Sequence, residues 1–438
     1  MGLLPHRADK EFGFRPAPLL LAVALCTAGL FTFVRPDALA ISLSILSLFI
    51  ATVVLGFASR HLRADPRRGR FALQVTLFAA SLIGLACAPD LLTLAFCWIT
   101  SGRILAALVG HVGDWRQARE AARRCRSAFL VGDAALAGAC AILGWWCGSL
   151  SLKAVLGTSM PANLASTVGT LMLIAVAVRS ALPPFSSWLL GSMAAPTPVS
   201  ALMHGGFVNA GGFLLIRFAP VLMHAPAIQT AAVILGLIAA TYGIFVLMIR
   251  PDIKGTLAGS TVSQMGFMVI CCGVGAFGPA LWHLIAHGLF KAWLFLGAGS
   301  TIGFRPERKR STTRPGLVAL AALAAGAATI VLGWSGLGPA ALPLALAAIT
   351  AVATALALGR STPLNGLIAL LALGASAAAG ASLGEVTGEP QAAVATPILA
   401  ALATAIAAVW AVQIAVAMRG LPPRFYAFLL NSGVRAAR

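Results

Sequence analysis

Apolar runs broken by short polar segments recur along almost the whole chain, at 16–34, 38–59, 71–88, 91–112, 127–148, 164–193, 196–218, 228–249, 254–276, 280–300, 316–334, 339–359, 365–386 and 393–417. Most match the roughly 17–25 residues that an α-helix needs to cross about 30 Å of hydrocarbon. The pattern predicts an all-α polytopic membrane protein with about fourteen transmembrane helices. Within the run at 164–193, Pro183 and Pro184 each lack a backbone donor and crowd the preceding turn, so at least one helix is expected to be broken.

Composition sharpens this picture. The 438 residues are 59% hydrophobic and 10% charged, against about 25% charged in a soluble domain. A net charge of +19 could suggest nucleic acid, but the distribution of the basic residues argues against that. Only Arg35 and Lys153 fall in loops after odd-numbered runs, and Arg103, Arg179, Arg217 and Lys291 lie inside runs. The remaining Lys and Arg sit at the termini or in loops after even-numbered runs, the distribution of a positive-inside membrane protein with both termini cytoplasmic. The polar first 15 residues lead into a long apolar run without a small-residue cleavage site, so a retained first helix is expected. The eight cysteines form no C-x-x-C pair or Cys/His cluster, and are read as small packing residues. Neither a metal site nor a cofactor is expected.

Candidate chemistry concentrates between 91 and 300. In ALWHLIAHGLFKAWLFLGAGS (280–300), His283, His287 and Lys291 are spaced by four and four, so they climb one face of a helix by about 6 Å per step. An ionisable group at bilayer depth costs at least about 2.5–3.5 kcal/mol, and three in register point to movement of protons or other ions. Arg179 lies one turn before the Pro-Pro break, and a charge beside a broken helix is typical of transporter ion sites. His204 follows in the next run, with Asn209 and four nearby glycines. Lys254 opens the run after Asp252 and is followed by Ser260, Thr261, Ser263 and Gln264, whose hydroxyls and amide can hydrate a path or bond backbone carbonyls. Asp133 is a carboxylate within an apolar run, able to pair with Arg179. Arg179 is expected either to oppose Lys291 and His204 electrostatically or to pair with Asp133. The proton-path candidates are therefore Arg179, His204, Lys254, His283, His287 and Lys291, with Asp133, Ser263 and Gln264 in support.

Three ordered segments, RSALPPFSSWLLGSMAAPTPVSALMHGGFVNAGGFLLIRF (179–218), DIKGTLAGSTVSQMGFM (252–268) and the run at 280–300, resemble the proton-translocating antiporter-like family. That family includes the large membrane-arm subunits of respiratory complex I and Mrp-type cation/proton antiporter subunits. The resemblance implies that Arg179 takes the place of the broken-helix lysine, His204 that of the central-axis histidine, and His283, His287 and Lys291 that of a His/His/Lys relay. The chain departs from the family where Ile99, rather than a glutamate, follows Trp98, and where Arg replaces Lys at 179. Arginine stays protonated, so Arg179 fits a fixed charge better than a proton carrier. The segment WITSGRILAALVGHVGDWRQAREAARRCRSAFLVGD (98–133) looks like the membrane subunit of the DabA–DabB inorganic-carbon uptake systems, although Leu130 and Val131 stand where an Arg usually precedes Gly132-Asp133.

The resemblance implies a non-enzymatic subunit of a bacterial inner membrane that conducts protons (or sodium) to energise a large, zinc-containing, carbonic-anhydrase-like DabA partner. The organisation expected is N-terminal helices at 1–90, an antiporter-like core at 91–300 and an Ala/Leu-rich scaffold at 301–438. Two alternatives remain: a proton-pumping subunit of an NADH-quinone oxidoreductase or Mrp-type complex, and a non-conducting scaffold that holds a cytoplasmic partner through Arg-rich loops. No glycine-rich nucleotide fingerprint, iron–sulfur spacing or haem motif marks the chain itself as a redox centre.

Overall fold

A computed structural model describes residues 36–298 and 422–431, with 24, 25, 27–29, 31 and 416. Apart from those isolated positions, the predicted spans at 16–34, 316–334, 339–359, 365–386 and 393–417 lie outside the described residues. Among the described residues, nine helices are long and apolar enough to cross a membrane, and they fall on the second to tenth predicted spans. They are α1 (Ala38–His61), α2 (Arg68–Ala86), α3 (Leu91–Val109), α4 (Arg116–Cys147), α6 (Ala162–Arg179), the composite Thr197–Arg217, α11 (Pro226–Ile249), α12 (Ile253–Gly273) and α13 (Phe277–Gly297). The short α5 (Leu152–Gly157) precedes α6.

Side chains start several of these helices where the sequence changes from polar to apolar. Asp37, Asp90 and Asp252 each cap a free backbone N–H in the first turn of α1, α3 and α12. The α4 helix begins earlier than its apolar run, because the segment from Arg116 to Arg126 continues as a polar helical extension of the span.

The Pro-Pro break lies inside the protein. Helix α6 ends at Arg179, the chain turns, and one short helix, α7 (Ser187–Leu190), follows. Ser180, Ala181, Leu182 and Trp188 are fully buried. Backbone groups freed within a membrane must find protein partners, and these do. The Leu182 amide donates to the Ala177 carbonyl at 2.8 Å, and the Trp188 indole N–H donates to the Val178 carbonyl at 2.8 Å.

A second irregularity divides the following span. It consists of α8 (Thr197–Leu202), a π-helical turn at Met203–Phe207 and α9 (Asn209–Arg217). The Val208 amide reaches back five residues to the Met203 carbonyl at 3.2 Å. This wide turn carries His204 and crosses α13 with little space: a Cβ on Gly288 would lie 2.7 Å from the Gly205 carbonyl oxygen. The short α10 (Ala219–Met223) then leads into α11. Helices α11 and α12 pack along their length through glycines, and a Cβ on Gly236 would lie 2.6 Å from the Gly266 carbonyl oxygen. α14 (Pro423–Asn431) packs on α11.

Contacts between loops establish the alternation of the spans. The α1–α2 and α3–α4 loops meet where His111 Nε2 donates to Asp65 at 2.8 Å and Arg67 reaches Asp114 at 3.6 Å. The α2–α3 and α4–α5 loops meet at the opposite end through an Asp90–Ser151 bridge. Arg217, at the end of α9, joins that end by pairing with Asp37 and donating to the Ala86 carbonyl.

Candidate ion-translocation site

α12 and α13 are antiparallel neighbours, so the ionisable face of α13 meets the hydroxyl- and amide-bearing face of α12 rung by rung. Lys291 is fully buried. Its Nζ donates to Ser260 Oγ at 2.8 Å and to the Leu257 carbonyl at 3.2 Å. One turn along, His287 Nδ1 donates to Gln264 Oε1 at 2.7 Å, and Gln264 Nε2 donates to Ser260 Oγ at 3.5 Å. His283 stands a further turn away, its ring 5.8 Å from that of His287 and edge-on to Phe267 at 5.1 Å.

His204 joins the ladder from the π-helical turn. Its ring stacks on Phe295 at 4.1 Å between centroids, and its Nδ1 lies 3.0 Å from Thr261 Oγ1. The Thr261 hydroxyl donates to the Leu257 carbonyl at 3.0 Å. With that hydrogen committed, Thr261 Oγ1 accepts from His204 Nδ1–H, and the Leu257 carbonyl serves both His204's partner and Lys291. The same logic protonates His287 at Nδ1, because a carboxamide oxygen only accepts. Both rings, when neutral, then keep their lone pair at Nε2. The Nε2 atoms of His204, His283 and His287 and the Oδ1 of Asn209 are buried and form no protein hydrogen bond. Asn209 Nδ2 closes the π-turn by donating to the Gly205 carbonyl at 2.7 Å and reaches the Leu284 carbonyl of α13 at 3.3 Å. The geometry therefore gathers imidazole, ammonium, hydroxyl and amide groups into one file along the α12–α13 seam.

The other sequence candidates are placed differently. Lys254 lies at the start of α12 and donates to the Ala195 carbonyl at 2.9 Å, tying α12 to the Pro-rich entry of α8. Ser263 sits on the face of α12 against α11, where Gly243 leaves room for its backbone, and its side chain forms none of the ladder's bonds. Arg179 is 2% exposed and held by neutral groups. Its guanidinium donates to Ser101 Oγ at 2.9 Å and the Trp98 carbonyl at 2.7 Å, and it stacks over Trp98 and Phe207 at 3.7 and 4.2 Å. Phe207, the last residue of the turn that bears His204, packs with Phe129 and Trp188 and presents its ring to the Arg179 guanidinium.

Asp133 bonds to Arg103 at 3.0 Å, not to Arg179, although its charge acts on Arg179 through space. In the sequence Arg103 stands only as an intramembrane charge. The signal was there in retrospect: Arg103 and Asp133 are opposite charges on consecutive spans, and α3 and α4 pack together. Thr261 and Ser260, read as undifferentiated polar residues, are the ones that contact His204 and Lys291.

Comparison with known proteins identifies the family. A family model described as NADH:quinone oxidoreductase/Mrp antiporter, TM, matches residues 88–373. The chain is similar to a probable inorganic carbon transporter subunit DabB of Bacillus subtilis, at 36% identity over 314 residues, 69% of this chain and 62% of that protein. It is 38% identical over 270 residues to a probable inorganic carbon transporter subunit of Halothiobacillus neapolitanus, covering 59% of this chain and 48% of that one. NADH-quinone oxidoreductase subunit L of Mycobacterium tuberculosis is 36% identical over 261 residues, 58% of this chain and 41% of the other. A chain in the solved Mrp complex of a Dietzia species superposes with a TM-score of 0.60 at 26% identity, covering 91% of this chain and 45% of that one. This chain thus spans less than two thirds of the length of each. The match over 88–373, on a buried file of ionisable groups within membrane-spanning helices, shows that the chain is an integral membrane protein of the NADH:quinone oxidoreductase/Mrp antiporter transmembrane family.

Proposed function

We propose that this chain conducts protons across the membrane along the α12–α13 seam. The observation that carries this reading is the fully buried Lys291 bonded to Ser260, in one file with three imidazoles whose Nε2 atoms lack protein partners. A buried ammonium held by a hydroxyl and a carbonyl has no counter-charge in its bonds, so it alternates readily between protonated and neutral forms. Each histidine can take a proton at Nε2 and release one from Nδ1, passing charge along the file. Lys254 supplies a positive group at the end bearing the Arg-rich loops. Arg179 is a fixed charge behind an aromatic layer, biasing the file without exchanging its own proton.

Similarity to subunits named as inorganic carbon transporters supports placing this conduction in a carbon-uptake complex, where proton flow energises a large DabA-like partner. The resemblance implies that this partner carries zinc and is carbonic-anhydrase-like. The distribution of basic loops supports an inner-membrane orientation with cytoplasmic termini. A second reading, a non-conducting scaffold, draws on one observation: Arg179 is bonded to neutral groups only, without the carboxylate that relatives place after the tryptophan.

Proton flux into proteoliposomes, followed with an entrapped pH-sensitive dye in sodium-free and sodium-containing buffer, separates the readings. Wild type is expected to conduct without sodium, and Lys291→Ala to lose about 100-fold in rate, the lower end of what a positioned proton-transfer group contributes. Equal flux in both proteins removes Lys291 from the path, and flux that requires sodium changes the ion. A wild type that conducts neither ion, alone or with its co-expressed partner, supports the scaffold.

A further inference from the structure

On the side of the Arg-rich loops, a cavity of about 410 Å³ opens between the start of α2, the end of α3 and the first half of α4. Arg70, Arg119, Arg123 and Arg126 line it above a floor that includes Ala107 and Gly110, and no lining residue is acidic. A smaller cavity of about 120 Å³ continues from it past Arg67 and Gln74, sharing Arg70. Water takes about 30 Å³ in the liquid, so the main cavity has room for much more than one small ion. Arg119 spends one Nη on the Gly113 and Asp114 carbonyls, which fixes its side chain at the rim without neutralising it. Of the acids nearby, Asp65 pairs with His111 and Arg67, Asp114 reaches Arg67 at 3.6 Å, and Glu120 bonds to Arg116.

Apolar columns lie under the arginines. Leu73 and Leu77 follow Arg70 on one face of α2, and Leu130 follows Arg126 by one turn on α4; all three leucines are strongly exposed. In a chain that spans a bilayer, exposed leucines one and two turns into a span face acyl chains. The arginines above them are then at headgroup level. The site thus offers guanidinium forks at headgroup depth and a greasy wall below, which matches an anionic headgroup still attached to its acyl chains.

We propose that this cavity is a binding site for an anionic phospholipid, with the phosphate held by Arg70, Arg123 and Arg126 and the acyl chains lying along α2 and α4. A free oxyanion shares the headgroup chemistry but gains nothing from the leucine columns. The lipid bridges helices α2 and α4 at the loop end of the bundle and stabilises their packing on α3.

The test uses the full-length protein, purified in a neutral detergent and depleted of lipid, with the thermal midpoint followed during titration. Phosphatidylglycerol is expected to raise the midpoint saturably, and phosphatidylcholine is not. The variant Arg70→Gln/Arg123→Gln/Arg126→Gln is expected to lose on the order of 100-fold in apparent affinity, from three guanidiniums removed near an anionic headgroup. Arg63→Gln, a change outside the cavity on the same side, is expected to retain the wild-type response. Equal shifts with phosphatidylcholine overturn the proposal, as does an undiminished response in the triple variant. A full shift with inorganic phosphate alone assigns the cavity to a soluble anion instead. No selective shift with any of the three leaves the arginines to an acidic protein surface and also overturns it. If the triple variant fails to fold, the wild-type comparison of phosphatidylglycerol, phosphatidylcholine and phosphate still decides.

Discussion

Lys291 and His204 share one carbonyl, that of Leu257, through Thr261. On this geometry Thr261 sets which nitrogen of His204 carries the proton. Thr261→Val removes the acceptor without changing the shape, and we expect proton flux to fall while the protein inserts normally; Thr261→Ser should restore it. Equal flux in both variants would show that His204 needs no such orientation. The register of His283, His287 and Lys291 was legible because helical spacing alone aligns them. Their partners were not, since Ser260, Thr261, Ser263 and Gln264 are all polar and only the rotation of α12 against α11 and α13 decides which of them turn inward. The partner of Asp133 was hidden for a similar reason: Arg103 and Arg179 both lie near it, and side-chain reach across α3, α4 and α6 selects Arg103.

Outside the membrane spans, Asp65 gives a test of residue-scale electrostatics. Burial acts to raise its carboxyl, but the Arg67 amide at 2.8 Å and the His111 ring hold it below the usual value of 3.8. A carboxylate depressed by folding stabilises the protein above its unfolded pKa, and that stability is lost as pH falls through the lower folded value. Asp65→Asn is therefore expected to lower the thermal midpoint at neutral pH and to flatten its decline below about pH 4. A wild-type midpoint that declines no more steeply there than the variant's would count against the pairing.

At the scale of elements, two irregular segments position the site: the break after Arg179 and the π-helical turn at Met203–Phe207. The first was legible from Pro183 and Pro184, because proline acts through its own covalent structure. The second was not, since nothing in MHGGF prevents a regular α-helix. The turn is stabilised by neighbours, with Asn209 bridging to α13 and Gly205 against Gly288. Gly288→Ala would press a methyl group onto the Gly205 carbonyl and the Asn209 amide, and a loss of about 1–3 kcal/mol is expected for such overpacking. The measurement is the thermal midpoint in detergent; an unchanged value would mean that the crossing relaxes freely. The predicted span at 164–193 also overran its helix, because apolar composition continues through α7 after the regular helix of α6 has ended at Arg179.

For the whole molecule, loop contacts put the α1–α2 and α3–α4 loops at one end and the α2–α3 and α4–α5 loops at the other. With basic loops inside, Arg63→Cys is expected to react with a membrane-impermeant maleimide from the cytoplasmic face, and Ser149→Cys from the opposite face. The reverse pattern would invert the proposed orientation. α1 packs against both α8 and α13, so a helix near the start of the chain walls the same bundle as the file of ionisable groups.

Hydrophobic run length and helical spacing, properties of consecutive residues, were enough by themselves to establish a membrane-spanning helical protein, nine of its spans, the broken helix and the aligned His/His/Lys face. Which polar groups meet was decided only in three dimensions. Pairing between helices depends on the rotation and depth of each helix against its neighbours, and those are set by side-chain volume at distant positions such as Gly205, Gly243 and Gly288. That packing gives Lys291 to Ser260, Asp133 to Arg103 and Arg179 to an aromatic pocket.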